Sequence, residues 1–290
     1  SFKPTFYLFT THLQNAKTFL KENKIYGNNW KLEKGYQKFF LYEYNAVINC
    51  IGAGTPSKLG QDYYKWFKLI EEYDNMILNY LLKSNHTIYI NFSSGAIYNS
   101  NGIKPVSKHS ICKLYPNYLK PENFYTICRL NSEAKHRALD ILKIVDIRIF
   151  SFFSRFIDLS SGYLISEILN CIIQNKPFIT TKTNIIRDYI HPKDLFALIL
   201  TQIQAPKNHA IDAKSLKPVK KFEMLDYFEK KYGLKIEIKD NISTVSPNGE
   251  RKIYYSKILT PKFQPKFKSI ETIATESEQI LNKISYDCAC

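Results

Sequence analysis

Tyr125 and Arg129 stand four residues apart, a spacing that puts both side chains on one face of a helix. A fixed cation beside a phenol favours the phenolate and lets a tyrosine give and take a proton near neutral pH. Ser94 follows the apolar run Thr87–Phe92, which reads as a strand. A hydroxyl at the carboxyl end of a strand lies where open α/β sheets bind ligands. Singly, these residues have ordinary explanations: a serine pair at a strand end is commonly a turn cap, and a tyrosine on a helix is commonly core. Other chemistry is less favoured. The six cysteines, Cys50, Cys112, Cys128, Cys171, Cys288 and Cys290, form no CxxC pair and have no matching His spacing, which argues against zinc. Cys50 and Cys171 sit in apolar stretches, where a thiol behaves as a small hydrophobe. Cys288-Ala289-Cys290 reads as a frayed tail.

The elements that must position these groups alternate between short apolar strands and amphipathic helices, the pattern of a parallel sheet covered on both faces. Thr5–Phe9, Ala46–Ile51, Thr87–Phe92 and Ile144–Phe150 read as strands. Ala46–Ile51 is a continuous apolar run suited to burial on both faces. Asp62–Leu82 carries Tyr63, Trp66, Phe67, Ile70, Tyr73, Ile77 and Leu81 as one helical stripe. A second helix is expected from about Tyr125 to Leu142. Beyond it the pattern loosens, with helices at Leu164–Gln174, Asp194–Gln204 and Val219–Tyr232 and short strands at His209–Asp212 and Leu234–Ile238. The expected architecture is a Rossmann-like doubly wound parallel α/β sheet over residues 1–155. A smaller mixed α/β lobe over 156–290 would return some segments to that sheet.

Three segments together resemble the NAD-dependent epimerase/dehydratase family, the extended branch of the short-chain dehydrogenases/reductases. Asn45-Ala46-Val47-Ile48-Asn49-Cys50-Ile51-Gly52 is similar to DxVIHxAG, Asn91–Tyr98 to SSxxVYG, and Tyr125–Glu133 to YxxSKxxxE. Ile185–Asp194 is similar to the family's RDyihVxD stretch, and Arg148–Ser151 to LRxFN. The resemblance implies a nucleoside-diphosphate-sugar epimerase or 4-keto reductase of surface-polysaccharide sugar biosynthesis. It would be a cytoplasmic enzyme using NAD or NADP, with no nucleic-acid partner, no membrane insertion and a homodimeric assembly. Ser94, Tyr125 and Arg129 would be catalytic. Cys50, Ile51, Gly52, Tyr125, Arg129 and Phe150 would hold the cofactor, and Ser94, Ser151 and Arg187 the substrate, with Arg187 on its phosphates. Arg129 replaces the family's lysine, Ser151 its asparagine, and Ser154-Arg155 stands where Gly-Pro is expected. Family 4,6-dehydratases carry an acidic pair after the Ser/Thr; Gly95 and Ala96 stand there, which points away from water elimination.

A dinucleotide domain normally opens with strand, GxGxxG-type turn and helix. Gly52-Ala53-Gly54 lacks a third glycine and is followed by Pro56, and nothing before Ala46 reads as that opening. The first strand and helix are therefore expected upstream of Ser1, and cofactor binding by these 290 residues is expected to be weak or absent. The alternative function is a cofactor-free, inactive nucleotide-sugar-binding module. The N-terminus has no signal-peptide h-region, and no run is long enough to span a bilayer. The formal net charge of +15 suits nucleic acid, an anionic membrane surface or a phosphorylated substrate, and the spread of lysines along the chain does not choose among them.

Overall fold

Alternation along β4 (Ile88–Ser94) and β5 (Lys143–Ile149) sets the architecture of the larger part of the molecule. In a strand, successive side chains face opposite sides. Ile90, Val145 and Ile147 pack with Leu195, Leu198 and Ile199 of α5 (Pro192–Gln204). Tyr89, Asn91, Ser93 and Asp146 hydrogen-bond instead toward the side of α2 (Tyr64–Leu81) and α3 (Pro121–Ala138). One face of the sheet is oily and the other carries buried polar networks. The computed structural model describes residues 4–25, 27, 29–52, 62–100, 102–240 and 251–287. They fall into two compact units, Ser1–Asn45 and Ala46–Cys290.

The smaller unit contains β1 (Phe6–Thr10), α1 (Leu13–Glu22) and β2 (Trp30–Lys34), with the strands parallel and Phe6 opposite Trp30. The two rings stack at 4.6 Å. This strand–turn–helix–strand unit departs from the sequence expectation, which found only the strand here. No residue of α1 is fully buried; Leu13, Ala16 and Leu20 on its apolar side are half-buried. Its leading turn, Thr10-Thr11-His12, contains no glycine.

In the larger unit a four-stranded parallel sheet runs in the order β10-β5-β4-β3, with β3 at Ala46–Asn49 and β10 at His209–Ala213. The three expected central strands are side by side. Two details differ from expectation. Ile48 is 45% exposed, whereas Val47 and Asn49, which point to the other face, are buried. Cys50, expected among apolar neighbours, is exposed just past the end of that strand. Helix α3 also starts earlier than expected. Pro121 takes the first helical position, and the Asn123 side chain accepts the Lys120 N–H at 3.0 Å. It ends at Ala138, leaving the buried Leu142 to lead into β5.

A second core gathers Phe153, Ile165, Leu169, Phe178, Phe228 and Ile273. It joins α4 (Leu164–Ile173), α6 (Lys221–Tyr232) and α7 (Ser269–Asp287) to β7 (Phe178–Thr180), which pairs with β12 (Ile236–Ile238). Short pairings form small sheets separate from the main one. β6 (Ser151–Phe152) runs beside β9 (Tyr189–Ile190), and β8 (Ile186–Arg187) lies between β11 (Val219–Lys220) and β13 (Ile253–Tyr254). No helix among the described residues is long and apolar enough to cross a membrane. No cluster of metal-ligating side chains occurs among them either. Ala53, Gly54, Pro56, Cys288 and Cys290 lie outside the described residues.

Candidate active site

Parallel pairing brings the carboxyl ends of β3, β4 and β5 to one rim of the sheet. A cleft of about 990 Å³ opens there, and Ser94, Tyr125, Phe150, Ser151 and Arg187 all line it. Ser94 ends β4. Its hydroxyl accepts the Ala96 N–H at 3.1 Å and lies 3.5 Å from the Tyr254 phenol, so it is both turn cap and cleft wall. Thr126 of α3 donates to the Ala96 carbonyl at 2.9 Å, which ties the helix bearing Tyr125 to the turn bearing Ser94.

Arg129 sits one turn along α3 from Tyr125, and its Nε donates to the phenol oxygen at 3.1 Å. The guanidinium is buried. Burial works against its charge, the Tyr125 oxygen works for it, and the balance holds its proton more firmly than usual. Arg129 and the β3-end residues are not part of the cleft lining. Gly52 is nonetheless a neighbour of Arg129, since a Cβ at Gly52 would lie 3.3 Å from Nη2. The Ile51 N–H donates to the Asn49 side chain at 2.9 Å, which fixes the turn leaving β3.

The family-like Glu133 does structural work. It accepts the Ser93 hydroxyl at 2.6 Å and a forked pair of bonds from Arg148, which also donates to the Tyr98 hydroxyl at 2.8 Å. Tyr98 in turn donates to Asp212 of β10 at 2.9 Å. The network locks α3 to the strand ends that carry the site. Asp194 accepts the Lys266 and Phe267 N–H groups, and α5 is capped by His191, whose Nδ1 accepts the Lys193 N–H. Arg155, standing where the family has Gly-Pro, forms a forked pair with Glu276 of α7.

Arg187 is 3% exposed, and among the described residues it donates only to the neighbouring Ile186 carbonyl. Burial pulls its guanidinium below the ordinary arginine range, and nearby Arg251 adds to that pull. Asp188, adjacent in sequence, accepts the Ser215 N–H at 2.8 Å. Among the described residues no carboxylate forms an ion pair with Arg187 or Arg251, and both line the cleft. The Ser151 hydroxyl oxygen, in the same wall, is buried without a partner among the described residues. Sequence reading missed Arg251, Tyr254, Tyr163 and the cleft role of Trp66. Trp66 was visible only as one residue of a core stripe, and Arg251-Lys252 only as a basic pair before Ile253-Tyr254.

Gly95 has a packing reason that the sequence did not disclose. A Cβ there would lie 2.6 Å from the Phe150 ring, which is buried against Tyr98 and Tyr254. Gly95→Ala is expected to lower unfolding stability in urea by about 1–3 kcal/mol through this overpacking.

The family model described as NAD dependent epimerase/dehydratase family matches residues 8–213. No curated protein matches the sequence. Among solved structures, a UDP-glucose 4-epimerase from Thermotoga maritima with UDP-glucose superposes with a TM-score of 0.76 at 13% identity, over 96% of this chain and 99% of that one. A UDP-glucuronic acid 4-epimerase variant from Bacillus cereus, with a fluorinated UDP-glucuronic acid and NAD, gives 0.77 at 13%, over 96% and 91%. A dTDP-glucose 4,6-dehydratase from Bacillus anthracis with NAD gives 0.73 at 12%, over 97% and 89%. At these identities the likeness is one of fold.

Proposed function

The chain belongs to the NAD dependent epimerase/dehydratase family, and on that premise we propose that it is a nucleoside-diphosphate-sugar 4-epimerase or 4-keto reductase. The observation that carries this reading is the cleft that Tyr125 and Arg187 both line, Tyr125 backed by Arg129 from behind and Arg187 buried without a carboxylate partner among the described residues. Tyr125 takes a proton from a sugar hydroxyl and returns it, Arg129 supports the negative phenol oxygen, and Ser94 aligns the sugar oxygen. Ser151 offers its unpartnered hydroxyl to the substrate. Arg187 binds the diphosphate, assisted by Arg251. No carboxylate follows Ser94; Gly95 and Ala96 stand there, which favours hydride chemistry without loss of water. A cytoplasmic homodimer serving surface-polysaccharide sugar synthesis is part of the same reading.

Residues at the ends of β3 and β5 suit the nicotinamide-ribose half of a dinucleotide. Cys50, Ile51 and Gly52 leave open backbone beside Arg129, where a Cβ at Gly52 would crowd Nη2, and Phe150 lines the cleft. A nicotinamide bound there would supply the hydride acceptor and donor. Within the smaller unit, the β1–α1 turn Thr10-Thr11-His12 has no glycine of the kind that lets a backbone approach a pyrophosphate closely. That turn favours the second reading, an inactive module that binds nucleotide sugar without cofactor.

The substrate assignment is tested by Arg187→Ala. Loss of one charge-assisted contact costs about 1.5–3 kcal/mol, so UDP-sugar affinity measured by calorimetry is expected to fall by roughly ten- to a hundredfold. Unchanged affinity removes Arg187 from the site.

A further inference from the structure

The indole of Trp66 is 5% exposed, lines the cleft, and packs at 5.3 Å against the Tyr125 ring and at 5.6 Å against Tyr63. Ile70 and Cys128 share its cluster. Its Nε1 is buried and donates to nothing among the described residues. A buried tryptophan N–H ordinarily finds an acceptor. A phenylalanine would fill much of the same aromatic volume without leaving a donor unsatisfied. The Ser151 hydroxyl lies in the wall of the same cleft, so two polar atoms without partners among the described residues occur where a polyhydroxylated ligand would supply acceptors. The position along the cleft is informative too. Trp66 adjoins Tyr125, at the reacting end, whereas the groups suited to a diphosphate are Arg187 and Arg251.

We propose that Trp66 is a specificity-determining and positioning residue, whose N–H donates to a sugar oxygen of the bound nucleotide sugar and whose ring holds Tyr125 in place beside it. This inference rests on the functional reading above, and the test separates the two. Binding of UDP-glucose and of UDP is measured by calorimetry for wild type and Trp66→Phe, which keeps an aromatic ring and removes the N–H. The expected result is a UDP-glucose affinity lower by about three- to tenfold, the range for one neutral hydrogen bond, with UDP affinity unchanged. Intact UDP binding also reports that the variant is folded. A second readout uses the two tryptophans of the chain, Trp30 and Trp66. In a Trp30→Phe background, emission from Trp66 is expected to change with UDP-glucose and not with UDP. Equal UDP-glucose affinity in wild type and Trp66→Phe, or equal weakening of both ligands, overturns the role of Trp66 while leaving the nucleotide-sugar reading intact. Failure of wild type to bind either ligand overturns both.

Discussion

Tyr125→Phe is expected to lower turnover of a nucleotide sugar by about 10²–10⁴-fold, the range for loss of a positioned general acid/base, while the protein stays folded. The change removes only the oxygen that accepts the Arg129 Nε–H at 3.1 Å. The ring itself is held by Trp66, and the helix behind it by Thr126 and Glu133. None of those contacts needs the phenol oxygen. Circular dichroism and the urea midpoint are therefore expected to stay close to wild type while product formation, followed by chromatography of the nucleotide sugar, collapses. A variant with wild-type turnover would show that the proton passes through another group. Glu122, the carboxylate in the described lining of the cleft, is the one to examine next.

The largest effect on stability is expected at His136, which is fully buried between two carboxylates. Its Nδ1 lies 2.9 Å from Asp146 and its Nε2 2.8 Å from Asp74. Lys135 pairs with Asp74, Arg137 and Asn91 bind Asp146, and Tyr89 donates to Asp74. Burial works against charge on the imidazole, but the hydrogen bonds and charges of Asp146 and Asp74 outweigh it and push the value up from 6.5 to about 9. The imidazolium then donates from both nitrogens and joins α2, α3 and β5. Because the folded value is raised, this contribution is complete below pH 6.5, declines as pH rises, and is lost above about 9. A difference of that size corresponds to about 3 kcal/mol. His136→Ala leaves two buried carboxylates facing each other and is expected to destabilise by about 3–5 kcal/mol. Urea unfolding at a series of pH values checks both points: wild type should weaken between pH 6.5 and 9, and the variant should show a flatter profile across that window. Parallel profiles would mean that His136 is neutral in the fold.

The same residues show what the sequence disclosed and what it hid. β4 and β5 were legible because Ile90, Val145 and Ile147 give apolar runs where the strands meet α5. The opposite face was not, because its polar residues interrupt the pattern singly. Asp146 inside the Ile144–Phe150 run gave no sign that it would face His136, which is ten residues earlier in sequence. α1 was legible but not read: Leu13, Ala16, Phe19 and Leu20 recur at helical spacing, and the absence of a glycine turn before them drew the reading away from a helix. The start of α3 was misplaced because Pro121 marks it, while the apolar pattern follows later. For the site, motif order brought Ser94, Tyr125 and Arg129 together, since three strand or helix ends on one rim follow from a parallel sheet. Residues supplied by distant segments carried no such order. Tyr254 reaches the cleft on β13, a two-residue strand beside β8 that no periodicity of the chain foreshadows, and Arg251 from the residues just before it. Gly95 was noted for the acid it lacks, whereas its packing against Phe150 depends on a ring 55 residues later.

The most direct test of the central claim is a crystal structure of this chain with UDP-glucose, which does not depend on how well the Thr10-Thr11-His12 turn receives a dinucleotide. The account predicts the diphosphate on Arg187, the C4 hydroxyl of the sugar within hydrogen-bond reach of the Tyr125 phenol and the Ser94 hydroxyl, and Arg129 still bonded to Tyr125. A diphosphate bound away from Arg187, or a sugar whose C4 oxygen cannot reach Tyr125, would contradict it.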